Sequence, residues 1–413
     1  MRSMRYCPGL LSGGCGYADW ECYKSVVDAP GVGTQPRDES VAFEDVGSRA
    51  SARRGGSGLW RAVRLIAVLY VFVGALQILK TGAAAGLEVL TGGFLFHNAG
   101  STLGLGWIGA MLTLSGSTVA ATALTLRAAG SITEIQGFTM VTGGRLGAAF
   151  VVLLVAVIYI MRKGEGERMK PLSTAVMALV ITGVIYVPGA AIGLLLLHWG
   201  PFQHVHLAAP HQFGNLIDLL YGWLLNAIAG VPALINFFGG LILLIVSFKL
   251  VDVLMPELSE DQLQGSRMNW LRHKWPMFGL GIVATVATMS VSVALTILVP
   301  LVAKGYVKRE DLIPYIVGAD LGTLVDKLIV AFIVGIGVKN PELAASPVRI
   351  ILAEIIGTAT VGLFIMTFVY KPFRSAIWRF QRQMLKSKSR LAAFTGSLLL
   401  IPVIIIAVSA TVK

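Results

Sequence analysis

Charge is scarce in this chain. Only 14% of its 413 residues are charged while 55% are hydrophobic, and the mean hydropathy is +0.75. A soluble domain of this length carries about 25% charged residues. That deficit, together with several long apolar runs, excludes an ordinary soluble globular protein and points to the bilayer. Cysteine is nearly absent too. Cys7, Cys15 and Cys22 all lie near the start, their spacing fits no zinc site, and the apolar runs contain none. No disulfide framework therefore holds the spans. Residues 1–55 lack an apolar run, so they form no signal peptide. They are expected to be a disordered cytoplasmic tail or the product of an over-extended start codon. A phosphate-loop lysine motif is missing, as is any nucleophile–base constellation. Neither an ATP-driven pump nor an enzyme is expected.

Basic residues are in excess, 34 against 22 acidic, for a net charge of +12. They sit in short loops between apolar runs, where they set membrane orientation instead of tracking phosphates. Nucleic acid is not an expected partner; the lipid bilayer is.

Runs long enough to span occur at 60–80, 136–161, 171–199, 234–255, 314–337, 347–370 and 391–411. Residues 82–98 are short and Gly-rich, which suits the interface better than a span. Residues 212–230 carry Asp218 and Asn226 and precede Pro232, as a half-helix or distorted span would. Residues 101–129 and 279–303 are apolar but interrupted by small and hydroxyl residues. Each reads as one long helix or as two half-length helices folded into a hairpin.

A gapless shift of 175 residues aligns 104–147 with 279–322 at 12 identities in 44 positions. Gly104-Leu105-Gly106 falls on Gly279-Leu280-Gly281. Thr113 falls on Thr288, and Ser115 and Ser117 fall on Ser290 and Ser292. Gly143 meets Gly318, and Leu146-Gly147 meets Leu321-Gly322. Internal repeats in a membrane protein are a signature of secondary transporters. The basic stretches 371–390 and 162–170, and Arg53, Arg54, Arg61 and Arg64, belong on the cytoplasmic side. Counting crossings between them makes the two copies inverted, provided 101–129 is re-entrant, 171–199 spans and 212–230 does not.

The interruptions read Leu114-Ser115-Gly116-Ser117-Thr118 and Met289-Ser290-Val291-Ser292-Val293. Broken helices offer free N–H groups to an anion, and hydroxyls and carbonyls to a hard cation. Small hydroxyl residues equally allow close helix packing. The first Ser of each interruption precedes a glycine by 28 residues, Ser115 to Gly143 and Ser290 to Gly318. In this the chain resembles the type II sodium/phosphate cotransporters, whose halves each carry a Gln-Ser-Ser-Ser hairpin tip followed by a Gly-Ala-Asn-Ile-Gly-Thr-Thr-like segment. The second copy is the closer, with Val299-Pro300-Leu301, Gly305, and Pro314-Tyr315-Ile316-Val317-Gly318-Ala319 leading into Leu321-Gly322-Thr323. The resemblance covers about residues 60–370. It implies hairpin tips that bind phosphate and sodium, in a multi-pass cell-membrane protein.

The chain departs from that pattern at the tips. Leu114 and Met289 stand where the glutamine is expected, and Gly116 and Val291 replace the middle serine. Arg145 and Asp320 replace the asparagine of the second motif at equivalent positions of the two copies. Ionisable groups at membrane depth survive by pairing or by lining a wet cavity. Arg145 and Asp320 are therefore expected to pair across the repeat interface, either as a structural bridge or with Arg145 on an anion and Asp320 on the coupling cation. Asp326 and Lys327, adjacent in sequence, point about 100° apart on a helix and need not pair. Glu354 is a candidate proton or cation carboxylate, or a partner for Lys327. His198, His204, His206 and His211 share one short loop; it is read as flexible, with a His-x-His metal site as the alternative.

These readings predict an all-α polytopic protein with two inverted repeats, each holding a re-entrant hairpin. The expected organisation is a tail at 1–55, repeat 1 at 60–161, a connecting membrane segment with the His-containing loop at 162–233, repeat 2 at 234–337, and C-terminal helices with a basic loop at 338–413. The expected activity is secondary transport of phosphate or a related small inorganic anion, coupled to Na+ or to protons, with no other cofactor. Ser115, Ser117, Thr118, Arg145, Ser290 and Ser292 would contact the anion. Ser290, Ser292, Asp320 and Thr323 would serve the cation, and Arg145, Asp320, Asp326 and Glu354 are the ion-pair or proton-coupling candidates. The alternatives are a diverged, non-transporting membrane protein and a channel or exporter of another solute.

Overall fold

The computed structural model describes residues 58–85, 96–163, 169–205, 207, 212–254, 273–288, 291, 294–295 and 312–411. Trp60–Lys413 forms one compact unit. The described elements are helices, as hydrocarbon demands of a chain that must satisfy its own backbone. In order they are α1 (Gly58–Ala85), α2 (Ala99–Thr113), α3 (Gly116–Ala128), α4 (Glu134–Ala148), α5 (Phe150–Lys163), α6 (Met169–His198), α7 (Gly200–Gln203), α8 (Gln212–Ile228), α9 (Ala233–Leu254), α10 (Lys274–Thr288), α11 (Leu312–Gly322), α12 (Leu324–Gly335), α13 (Pro341–Thr367), α14 (Tyr370–Leu385) and α15 (Lys388–Thr411). Among the described residues, five helical stretches are long and apolar enough to cross a membrane: Ile66–Ala83, Glu134–Leu154, Leu172–His198, Pro341–Thr367 and Ser389–Thr411.

Three of the apolar runs are broken, and local chemistry explains the most abrupt break. At 101–129 the chain forms α2 and α3, not one helix. Leu114 adopts φ 55°, a left-handed cap that ends α2. Ser115 then caps α3, its hydroxyl accepting from the Thr118 amide at 3.3 Å. The run 314–337 divides into α11 and α12 around Thr323, and 136–161 divides into α4 and α5 around Ala149. Most of the corresponding interruption in the second copy, including Ser290 and Ser292, lies outside the described residues.

Glycine sets the closest helix contacts. In α2 and α4, a side chain on Gly106, Gly143 or Gly147 would strike the carbonyl oxygen of Met140, Leu103 or Trp107. In α10 and α11, Gly281, Gly318 and Gly322 would strike those of Tyr315, Phe278 and Ile282. Adding 175 to each residue of the first set yields the second. The two helix pairs thus pack in the same register through the same small-residue seam. Thr113 and Thr288 follow suit, each donating to the carbonyl four residues back, Gly109 and Ala284.

The short helix α3 is buried along nearly its whole length, and it packs on α4, α12 and α13. α6 and α13 pack together where Gly189 and Gly193 meet Thr358 and Ala353. α15 instead exposes Leu399, Leu400, Val403 and Ile404, the dress of a lipid-facing helix. The stretch 371–390, read from sequence as a basic loop, is mostly the helix α14. It buries Ile377 and Gln381 and carries Lys371, Arg374, Arg379 and Arg382, an amphipathic pattern suited to a membrane surface.

Candidate functional site

Arg145 lies in the last turn of α4 and is 3% exposed. Its Nε donates to the Tyr186 hydroxyl at 3.0 Å, and one terminal nitrogen donates to Thr323 Oγ1 at 3.1 Å. The other stands 3.7 Å from an Asp320 carboxylate oxygen, at 1% exposure. The guanidinium carbon also sits 5.2 Å from the Tyr186 ring centre, a cation–π geometry. The expected contact between Arg145 and Asp320 is therefore present. It is a Coulombic pair slightly longer than a hydrogen bond.

Asp320, on α11, is held from a second side. Thr182 donates to its other carboxylate oxygen at 2.9 Å, and the Tyr186 hydroxyl donates to its backbone carbonyl at 2.8 Å. Thr182 and Tyr186 are one turn apart on α6, so a single helix face grips both members of the pair. Neither was singled out from sequence. The signal was two hydroxyl side chains four residues apart in an otherwise apolar run.

Thr323, in the break between α11 and α12, joins two halves of the cluster. Its hydroxyl makes no cap bond. It instead receives Arg145 on one side and Lys327 Nζ on the other, both at 3.1 Å. Lys327 also donates to the Thr323 carbonyl at 2.7 Å and to Asp326 at 3.0 Å. Here the structure corrects the sequence reading, because Asp326 and Lys327 do pair. The 100° offset holds for their Cα–Cβ directions, but the lysine stem is long enough to fold back to its neighbour.

Ser117, in the first turn of α3, brings the first interruption to the same place. Its hydroxyl donates to Asp326 at 2.9 Å and lies 3.3 Å from Lys327 Nζ. Ser115 and Thr118 face elsewhere. The Thr118 hydroxyl donates to Ser115 Oγ at 3.0 Å, so both serve the cap of α3. Glu354, on α13 and 0% exposed, is not bonded to Lys327. Both of its oxygens lie within reach of the Thr142 hydroxyl, at 3.1 and 2.9 Å. Trp107, packed with Leu146 and Tyr186, keeps a buried indole N–H without a hydrogen-bond partner among the described residues.

A second charged cluster went unpredicted. Arg349, near the start of α13, pairs with Glu134 and Glu342 at 2.9 Å each and donates to the Gln203 carbonyl at 3.0 Å. Arg127 of α3 donates to Ser346, which donates on to Glu134. Of the histidines, His198 and His204 are exposed, the first with Nδ1 at 2.7 Å from the Leu194 carbonyl. His206 and His211 lie outside the described residues. No group of three metal-capable side chains gathers among the described residues.

The polar cluster thus collects Arg145, Lys327, Asp320, Asp326 and Glu354 from α4, α11, α12 and α13, with hydroxyls from α3 and α6. Two cations converging on one hydroxyl can bind an anion, and carboxylates beside threonine oxygens can bind a cation. Residues 243–411 match the family model described as Na+/Pi-cotransporter, and this match supports membership of the chain in that family. The matched part runs from α9 to α15 and contains Asp320, Thr323, Asp326, Lys327 and Glu354. No curated protein and no solved structure matches the chain.

Proposed function

We propose, from the match of residues 243–411 to the Na+/Pi-cotransporter family model and from the polar cluster, that the chain is a secondary transporter of phosphate or a related oxyanion, driven by a sodium gradient. It is a multi-pass membrane transporter with two inverted copies, each with a re-entrant hairpin, that alternate access around the polar cluster. The observation that carries this reading is the convergence of Arg145 and Lys327 on Thr323 Oγ1, both at 3.1 Å, among residues shielded from solvent. Arg145 offers a planar fork and Lys327 a point charge, and a tetrahedral oxyanion can bridge both while accepting the proton of the Thr323 hydroxyl between them. Asp320 with Thr182, and Asp326 with Ser117, supply oxygens for the cation. The shared glycine register of α2–α4 and α10–α11 supports the duplication, and the broken helices at Leu114 and Thr323 support binding at mid-membrane.

Proteoliposome uptake of labelled phosphate, with and without an inward sodium gradient, tests the reading. Gradient-dependent uptake that falls at least tenfold in Thr323→Val is expected. No uptake of phosphate, arsenate or sulfate under any cation gradient would refute it.

A further inference from the structure

Two cations and two aspartates of the cluster pair off, Arg145 with Asp320 and Lys327 with Asp326. Among the described residues Glu354 makes no ion pair with either cation. Its hydrogen-bond partner among the described residues is the Thr142 hydroxyl, which carries one proton and also lies 3.1 Å from the Phe138 carbonyl. If that proton goes to Phe138, an ionised Glu354 has no donor for either oxygen among the described residues. If it goes to Glu354, one donor serves a group with about four acceptor positions. A neutral Glu354 resolves the conflict: the acid donates to Thr142 Oγ1, and Thr142 donates to Phe138. All three groups are then satisfied.

We propose that Glu354 is a protonation site, holding a proton in the resting transporter and requiring it for anion binding. The charged and titratable groups facing it are Arg145 from α4, Lys327 from α12 and Tyr186 from α6. Asp320 on α11 and Asp326 on α12 face those two cations instead. Arg127 of α3 and Glu134 of α4 are engaged at Ser346 and Arg349, more than one turn towards the start of α13. The basic residues of α14 begin beyond the far end of α13. With Glu354 ionised the cluster carries one net negative charge and repels an anion. With Glu354 neutral it is balanced, and an entering anion meets no uncompensated carboxylate. The 175-residue shift takes Thr142 to Val317 and Glu354 to Leu179, both buried and apolar. The acid–hydroxyl pair therefore belongs to one copy alone. The proton is taken from water and returned to water.

The part this proton plays in transport rests on the anion-transport reading above; the protonation itself does not. Infrared spectroscopy of the full chain in liposomes, across a pH titration, separates the two. At neutral pH the wild type should show the carbonyl stretch of a protonated carboxylic acid. The band should vanish in Glu354→Gln, persist in Asp320→Asn and Asp326→Asn, and shift to the frequency of a less hydrogen-bonded acid in Thr142→Val. The last variant keeps the test alive if Glu354→Gln does not fold. A wild type without the band, or a band that survives Glu354→Gln, overturns the assignment. Sodium-driven phosphate uptake should rise as the pH falls in the wild type and lose that dependence in Glu354→Gln. Uptake indifferent to pH alongside a clear band would overturn the coupling, whereas no uptake with a clear band would count against the transport reading only.

Discussion

Replacing one member of the Arg145–Asp320 pair should unmask a buried charge. Arg145→Met removes the guanidinium 3.7 Å from Asp320, one donor to Thr323 and the donor to Tyr186. Asp320 keeps the bond from Thr182, so its carboxylate stays oriented but loses its counter-charge. At an effective dielectric near 20, two unit charges at that separation attract by about 4 kcal/mol. Stranding either charge by deleting its partner costs roughly 3–5 kcal/mol. Asp320→Asn preserves shape and the Thr182 contact, so its cost comes chiefly from leaving Arg145 uncompensated. The double variant removes both charges and should therefore cost less than the sum of the singles, with a coupling of about 1–3 kcal/mol. Equilibrium unfolding in mixed detergent micelles, followed by tryptophan fluorescence, measures all four corners of the cycle. Additive losses, within about 0.5 kcal/mol, would show that the two groups do not interact and would remove the centre of the proposed site.

The glycine seam makes a paired prediction. Gly143→Ala and Gly318→Ala should each destabilise by about 1–3 kcal/mol in the same assay, because each new methyl meets a backbone carbonyl, while Gly183→Ala and Gly222→Ala, with open space around them, should be neutral or stabilising. Ser115→Ala should lower stability by about 1 kcal/mol through loss of the α3 cap while leaving the affinity for phosphate within twofold, since Ser115 does not face the cluster. Arg349→Met should destabilise by roughly 3 kcal/mol, having stranded Glu134, and the Arg349→Met/Glu134→Gln pair should recover part of that loss.

Much of the site could be read from residue order alone. Arg145 and Asp320 stand out because charge inside an apolar run is rare, and the 175-residue shift puts them at equivalent positions. The Gly106/Gly281 and Gly143/Gly318 matches, read from sequence only as marks of a repeat, lie at the closest helix contacts, since only glycine lets two backbones approach that closely. Three features were hidden for identifiable reasons. The pairing of Lys327 with Asp326 depends on a flexible stem, which a helical wheel does not represent. Thr182 and Tyr186 each look like ordinary helix-packing residues, and their role exists only because α6 lies against α11. The Arg349 cluster joins α3, α4, α7 and α13, and no local spacing encodes so many separate elements. The hydroxyls of the first interruption divided in a way composition cannot reveal. Ser117 reaches the charges, while Ser115 and Thr118 are consumed by the break itself.

Anion binding at the Arg145–Thr323–Lys327 node is the central claim, and ligand-dependent stabilisation measures it without requiring transport. A ligand that binds the folded state raises its stability by RT ln(1 + [L]/Kd). Thermal unfolding of the purified wild type should shift upward with phosphate, more so with sodium present, and not with chloride at equal ionic strength. The same titration on Thr323→Val should be flat. A wild type that ignores phosphate, or a Thr323→Val protein that responds as the wild type does, would contradict the account.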